Sequence, residues 1–332
     1  MKFVTAACCA AALFGGPSKV AMAAPQIVQR IALEDGGWDI LTVDPNTKRV
    51  LISRSNGVDA VDMRTGQVTA RLISGTRFHG VTVVPGTPIA VATQATGSAV
   101  IFNASTGKIL GEVKTDADAD ATVYEPHTRS VWVMNGDSGT ISIVDPIGMK
   151  ASGKINVGGS LEFPALDGRG HLFVNVEDKH ELVEVDIRRR VVSRRLVLAD
   201  CEAPTGLVYL RSGMLISACR NGVAKITRAT DLKPVGELKT GPSPDGAFAD
   251  EARHRAYIPS GGDGTLSVID TESPLPRKIA TVQTQVGART GTVDLATGTV
   301  YLPTAKFGTP PAGGGRPPIV PGSVELLVVR QP

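Results

Sequence analysis

A unit of about 41 residues recurs along this chain, and no other feature restricts its fold so strongly. Each unit begins with a short apolar strand, a turn rich in Asp, Pro and Gly, and a second apolar strand. Examples are Asp39-Ile-Leu-Thr-Val-Asp-Pro45 with Val50-Leu-Ile-Ser53, and Asp120-Ala-Thr-Val-Tyr-Glu-Pro126 with Val131-Trp-Val-Met134. The first turns fall near residues 44, 84, 125, 167, 210, 250 and 295. A third strand follows, usually closed by Asp, as in Thr140-Ile-Ser-Ile-Val-Asp145 and Leu266-Ser-Val-Ile-Asp270, and then a fourth such as Lys278-Ile-Ala-Thr-Val282. Four short strands in a repeat of this length make one blade of a β-propeller. Seven first strands predict an all-β, seven-bladed propeller of four-stranded antiparallel blades. The 332 residues therefore read as one domain, although length alone suggests two. The 37 Gly and 22 Pro are the punctuation that so many turns require.

The chain ends predict how the ring closes. Gln26-Ile-Val-Gln-Arg-Ile-Ala-Leu33 has the character of a fourth strand with no blade before it, and Ser323-Val-Glu-Leu-Leu-Val-Val329 is a third strand with none after it. The first should complete the last blade as its outer strand, which covers an open sheet edge.

Residues 1–23 read as a secretory signal peptide. Lys2 supplies the basic start, Phe3 to Gly16 are apolar, and Ala21-Met22-Ala23 is a small-x-small cleavage pattern. The apolar run is shorter than the ~20 residues a membrane span needs. The expected mature chain is a soluble, monomeric propeller of residues 24–332, located in the periplasm. Cleavage removes Lys2 and Lys19, so the formal charge falls from +3 to +1 and global basicity gives no argument for nucleic acid. It also removes Cys8 and Cys9, leaving Cys201 and Cys219 as an isolated pair in an oxidising compartment, where a disulfide is expected.

Aligning the repeats by their first turns gives one polar residue five places before each turn: Asp39, His79, Asp120, Glu162, Thr205, Asp245 and Thr290. The first strand of a propeller blade is innermost, so these seven should ring one mouth of the central channel, with Arg289 and Glu202 close by. This ring is the candidate ligand-binding site. Asp39, His79, Asp120, Glu162 and Asp245 supply the carboxylates and imidazole that a divalent cation takes, and a cationic or polyhydroxylated small ligand would suit the same groups. The alternative is a water-filled channel that simply begins each inner strand with a polar residue. No cofactor is otherwise implied. The long Gly- and Pro-rich segment from Lys306 to Gly322 should lie at the same mouth, as a recognition element or a plain insertion.

The residues also carry a family resemblance over essentially the whole chain after residue 23. Asp39-Ile-Leu-Thr-Val-Asp-Pro45, Val174-Asn-Val-Glu-Asp-Lys179, Cys201-Glu-Ala-Pro204, Gly287-Ala-Arg-Thr290 and Tyr301-Leu-Pro-Thr-Ala-Lys-Phe-Gly308 resemble the YncE-like, YVTN-repeat group of exported seven-bladed propellers. The literal Tyr-Val-Thr-Asn tetrapeptide is absent, and Thr227 stands where an Asp would close the third strand of the fifth repeat. The ring, with no recognisable nucleophile constellation beside it, points to a binding or scaffolding module for a small ligand or a periplasmic protein; the resemblance adds single-stranded DNA as an alternative partner, which the near-neutral mature charge weighs against. An enzymatic alternative is metal-dependent hydrolysis of a lactone, because propellers elsewhere hold a catalytic cation at this channel position. No catalytic residues are assigned. Gly136-Asp-Ser-Gly139 looks like a protease nucleophile segment, but the parallel stretch Gly261-Gly-Asp-Gly264 explains it as a hairpin turn. The arginines at 188–190, 194 and 195 fall on an outer edge, where positive charge protects a strand from pairing.

Overall fold

In the computed structural model, which describes Met1 and residues 25–311 and 313–330, every regular element is a β-strand. The strands form seven antiparallel sheets of four. Blades 1 to 6 span residues 38–74, 78–114, 119–156, 161–197, 204–239 and 248–283. Blade 7 combines residues 292–330 with the strand Gln26–Ala32, which pairs antiparallel with Glu325–Arg330 from Gln26 opposite Arg330 to Ala32 opposite Glu325. The expected closure of the ring is therefore present. Apart from Met1, the proposed signal peptide lies outside the described residues.

The second strand of each blade explains why so many segments are continuously apolar. Side chains alternate between the two faces of a strand, and both faces of a blade pack on a neighbour. In blade 1, Val50 and Ile52 pack toward blade 7 while Leu51 packs toward blade 2. The core is thus divided into seven clusters, one at each seam between blades. Trp132, fully buried between blades 3 and 4, is the largest side chain of this core.

The recurrent acids at the turns hold those turns. Asp44 accepts hydrogen bonds from the Asn46 amide at 2.9 Å and the Thr47 hydroxyl at 2.6 Å. Asp294 does the same with Ala296 and Thr297, and Asp145 with the amides of Ile147 and Gly148. These are side-chain mimics of a backbone turn, the property that favours Asp there. Residues 136–139 are likewise a hairpin turn, with Gly139 at φ 64°. Cys201 and Cys219 form a disulfide beside the first two strands of blade 5.

Candidate functional site

The inner strands are not regular, and their irregularity builds the site. In blades 1 to 5 the pairing of the first two strands skips at one place, between Trp38 and Leu41, Phe78 and Val81, Ala119 and Thr122, Leu161 and Pro164, and Pro204 and Leu207. Each skip is a β-bulge, in which two residues face one on the partner and a side chain is re-aimed. The first bulged residue is Asp39, His79, Asp120, Glu162 or Thr205. The second is Ile40, Gly80, Ala121, Phe163 or Gly206. At Gly80 a Cβ would fall 2.5 Å from the Asp120 carbonyl oxygen, and at Gly206 one would fall 2.3 Å from the Gly246 backbone, so neighbouring inner strands need these glycines to approach. The backbone leading in is strained as well: Arg77, Asp118, Ala203 and Ser243, each two residues before a ring position, have φ of 49°, 56°, 45° and 54°.

The seven ring positions divide into distinct roles. Asp39, His79 and Asp120, from blades 1, 2 and 3, converge, with ligand atoms all within 4.8 Å of one another. His79 Nδ1 lies 3.1 Å from Asp39 and 3.6 Å from Asp120. On the other side, Arg289 donates through Nε to Asp245 at 2.7 Å and through its terminal nitrogen to the Trp38 carbonyl at 3.3 Å, and stands 5.8 Å from the centre of the Trp38 ring. His79 therefore sits between two acids, and Arg289 pairs with one. Thr205 and Thr290 are buried and serve another purpose: their hydroxyls donate to the carbonyls of Pro244 and Asp39, tying blade 5 to blade 6 and blade 7 to blade 1. Asp245 and Thr290 precede their three-residue inner strands rather than opening them.

Charge at this mouth is held by protons as well as by pairing. Burial alone would discharge His79, but hydrogen bonds to Asp120 and Asp39 and their charges raise its pKa to about 10. Burial, opposed by His79 and reinforced by Asp39, raises Asp120 to about 7. Glu162 has no cation partner among the described residues; burial, with repulsion from Asp120, Asp245, Glu177 and Asp39, pushes it well above its ordinary value. Asp118 is raised by burial too. Ile40 reaches across to the cluster between blades 3 and 4, which puts an apolar floor beneath the ring. The mouth thus carries excess acid, some of it protonated.

Two features support the ring, a buried arginine that forms no sequence motif and the Gly- and Pro-rich segment expected at this mouth. Arg54 is buried, pairs with Asp59, and donates to the carbonyls of Gly37 at 3.0 Å, Glu34 at 2.6 Å and Gly36 at 3.2 Å. It anchors the loop that delivers Trp38 and Asp39. The segment after Lys306 folds back as a hairpin, with Phe307 bridged to Ile319 and Val320 donating to the Lys306 carbonyl at 2.9 Å. It roofs a cleft of about 700 Å³ beside the ring, between Trp38, Arg289, Phe307 and Ile319.

Neither a protein-family model nor a curated protein sequence matches the chain. Among solved structures, a chain of the crystal structure of the mitotic checkpoint complex aligns over 99% of this chain and 98% of its own, with TM-score 0.76 and 12% identity. A chain of Kuenenia stuttgartiensis hydrazine synthase aligns over 87% of this chain and 96% of its own, with TM-score 0.73 and 15% identity. At these identities the likeness shows the fold alone.

Proposed function

We propose that this chain is a ligand-binding propeller of the YncE-like kind, exported by its amino-terminal segment, and that its channel mouth takes a cation. The observation that carries the reading is the convergence of Asp39, His79 and Asp120 at a mouth that already holds protons against its own negative charge. A cation entering between these groups would replace the protons of His79 and Asp120. Two carboxylates and one imidazole form a mixed oxygen and nitrogen set, which suits Mn²⁺ or Zn²⁺ better than Ca²⁺, whose ligands are oxygens. Because an imidazole must be neutral to bind a metal, affinity should rise with pH. Glu162 and Asp245 lie outside the group of three and would act on the bound ion through charge, or contact a larger organic cation directly.

The test is thermal stability with Mn²⁺, Zn²⁺ and Ca²⁺ at pH 6 and pH 8. The expected result is stabilisation by Zn²⁺ or Mn²⁺ that is larger at pH 8 and missing in Asp39→Asn/Asp120→Asn. No shift with any of the ions at pH 8, or an equal shift in the double variant, would reject the reading. Export has its own readout, because protein recovered from the periplasm should begin at Ala24.

A further inference from the structure

On the opposite face of the ring, where blade 7 meets blade 1, lies a cavity of about 580 Å³, within the range of small-molecule sites. Its rim is basic for reasons of turn chemistry. Lys48 ends the first turn of blade 1 at φ 56°, and Arg64 stands on the turn after the third strand, whose Met63 amide donates to the Lys48 carbonyl at 3.0 Å. Arg330 closes the strand Glu325–Arg330 of blade 7. Arg253 reaches over from blade 6 and donates to the carbonyls of Leu295 at 3.1 Å and Ala296 at 3.0 Å. Four cations thus surround one cavity, and among the described residues only Arg253 has an ion-pair partner, Asp250. The one carboxylate of the lining, Asp294, is occupied within its own turn. Between the cations the wall is apolar, made by Met63, Ala296 and the buried ring of Tyr301.

We propose that this cavity binds a small phosphorylated organic anion. A carboxylate carries one charge, whereas a phosphate monoester brings ~1.5 to 2 charges and three acceptor oxygens at neutral pH. Arginine forks match that geometry. The apolar wall is placed to take the organic part. The phosphate could belong to a soluble ester or to a lipid whose headgroup is itself a phosphate monoester, and the chemistry of recognition is the same. Lys48 and Arg64 belong to blade 1 and Arg330 to blade 7, so an occupant would bridge the two blades that close the ring.

The test is calorimetry at low salt with phenyl phosphate and, separately, sedimentation with vesicles of phosphatidic acid in phosphatidylcholine, using pure phosphatidylcholine vesicles as reference. Saturable binding of one or both is expected. Binding of the ester alone assigns a soluble ligand, and binding of the vesicles alone assigns a lipid. Lys48→Gln/Arg64→Gln should weaken it about tenfold or more, from the loss of two charge-assisted contacts. Ala296→Trp, at an exposed turn position, keeps every charge but fills the cavity and should also abolish it. Asp39→Asn/Asp120→Asn, at the other mouth, should bind as the unaltered protein does. Failure of both probes to bind would overturn the proposal. So would binding that survives either cavity variant within about twofold, which would reduce the site to diffuse surface charge.

Discussion

If the mouth holds its charges as described, this propeller should lose stability as pH rises through neutrality, and His79 is the principal cause. Its folded pKa of about 10 stands above the ordinary 6.5. A group raised in this way contributes fully below the unfolded value, and its contribution is lost as pH climbs through the folded one. The imidazole is only 18% exposed, so its pairing is little screened by solvent. The shift corresponds to a contribution on the order of 5 kcal/mol near pH 6, declining by up to about 1.4 kcal/mol per pH unit toward pH 10. Asp120 acts in the same direction at lower pH: raised from 3.8 to about 7, it keeps a proton that the unfolded chain releases. Its contribution therefore falls away between about pH 4 and 7. The reference is His79→Gln/Asp120→Asn, in which neither group titrates. Urea unfolding followed by the fluorescence of Trp38 and Trp132 between pH 5 and 10 measures the difference. The two curves should converge as pH rises. Parallel curves across pH 6.5 to 10 would refute the coupling of His79 to the two carboxylates.

Other consequences follow from the framework around the mouth. Replacing Cys201 and Cys219 by Ser opens a loop of 18 residues and should cost about 3 kcal/mol, seen as a lower melting temperature that matches the reduced unaltered protein. Arg54→Met leaves Asp59 buried without its partner and frees the Glu34 to Gly37 carbonyls. A loss of about 3–5 kcal/mol is expected, with faster amide exchange at residues 34–39; unchanged exchange there would remove Arg54 from the positioning of Asp39. Deleting Gln26–Ala32 uncovers the edge strand Glu325–Arg330 and should produce dimers or aggregates by light scattering; a stable monomer would mean that closure is dispensable.

The repeat made the architecture readable before any coordinates. Blade number, strand order and closure by residues 26–33 all follow from apolar runs and Asp-bearing turns that obey local rules, as Asp44 and Asp294 show in their hydrogen bonds. The same register put Asp39, His79 and Asp120 at one mouth. It could not assign their roles. Equal spacing made Thr205 and Thr290 look equivalent to the acids, yet their hydroxyls tie blades together, because a buried hydroxyl needs a partner and the adjacent blade presents a carbonyl. Nor does spacing show which acids share a cation: Asp245 goes to Arg289, while Glu162 has none among the described residues. Arg54 was invisible for a related reason. Its partners lie 5 to 20 residues away along the chain and include three carbonyls, which leave no pattern in a sequence.

The most direct test of the mouth as a cation site is the number of protons released when Zn²⁺ binds, obtained by titration calorimetry at pH 7 in buffers of different ionisation enthalpy. Saturable binding with release of about one proton or more is expected, as the ion takes the place of those on His79 and Asp120, and no such release from His79→Gln/Asp120→Asn. Absence of binding, or binding that releases no proton, would contradict it.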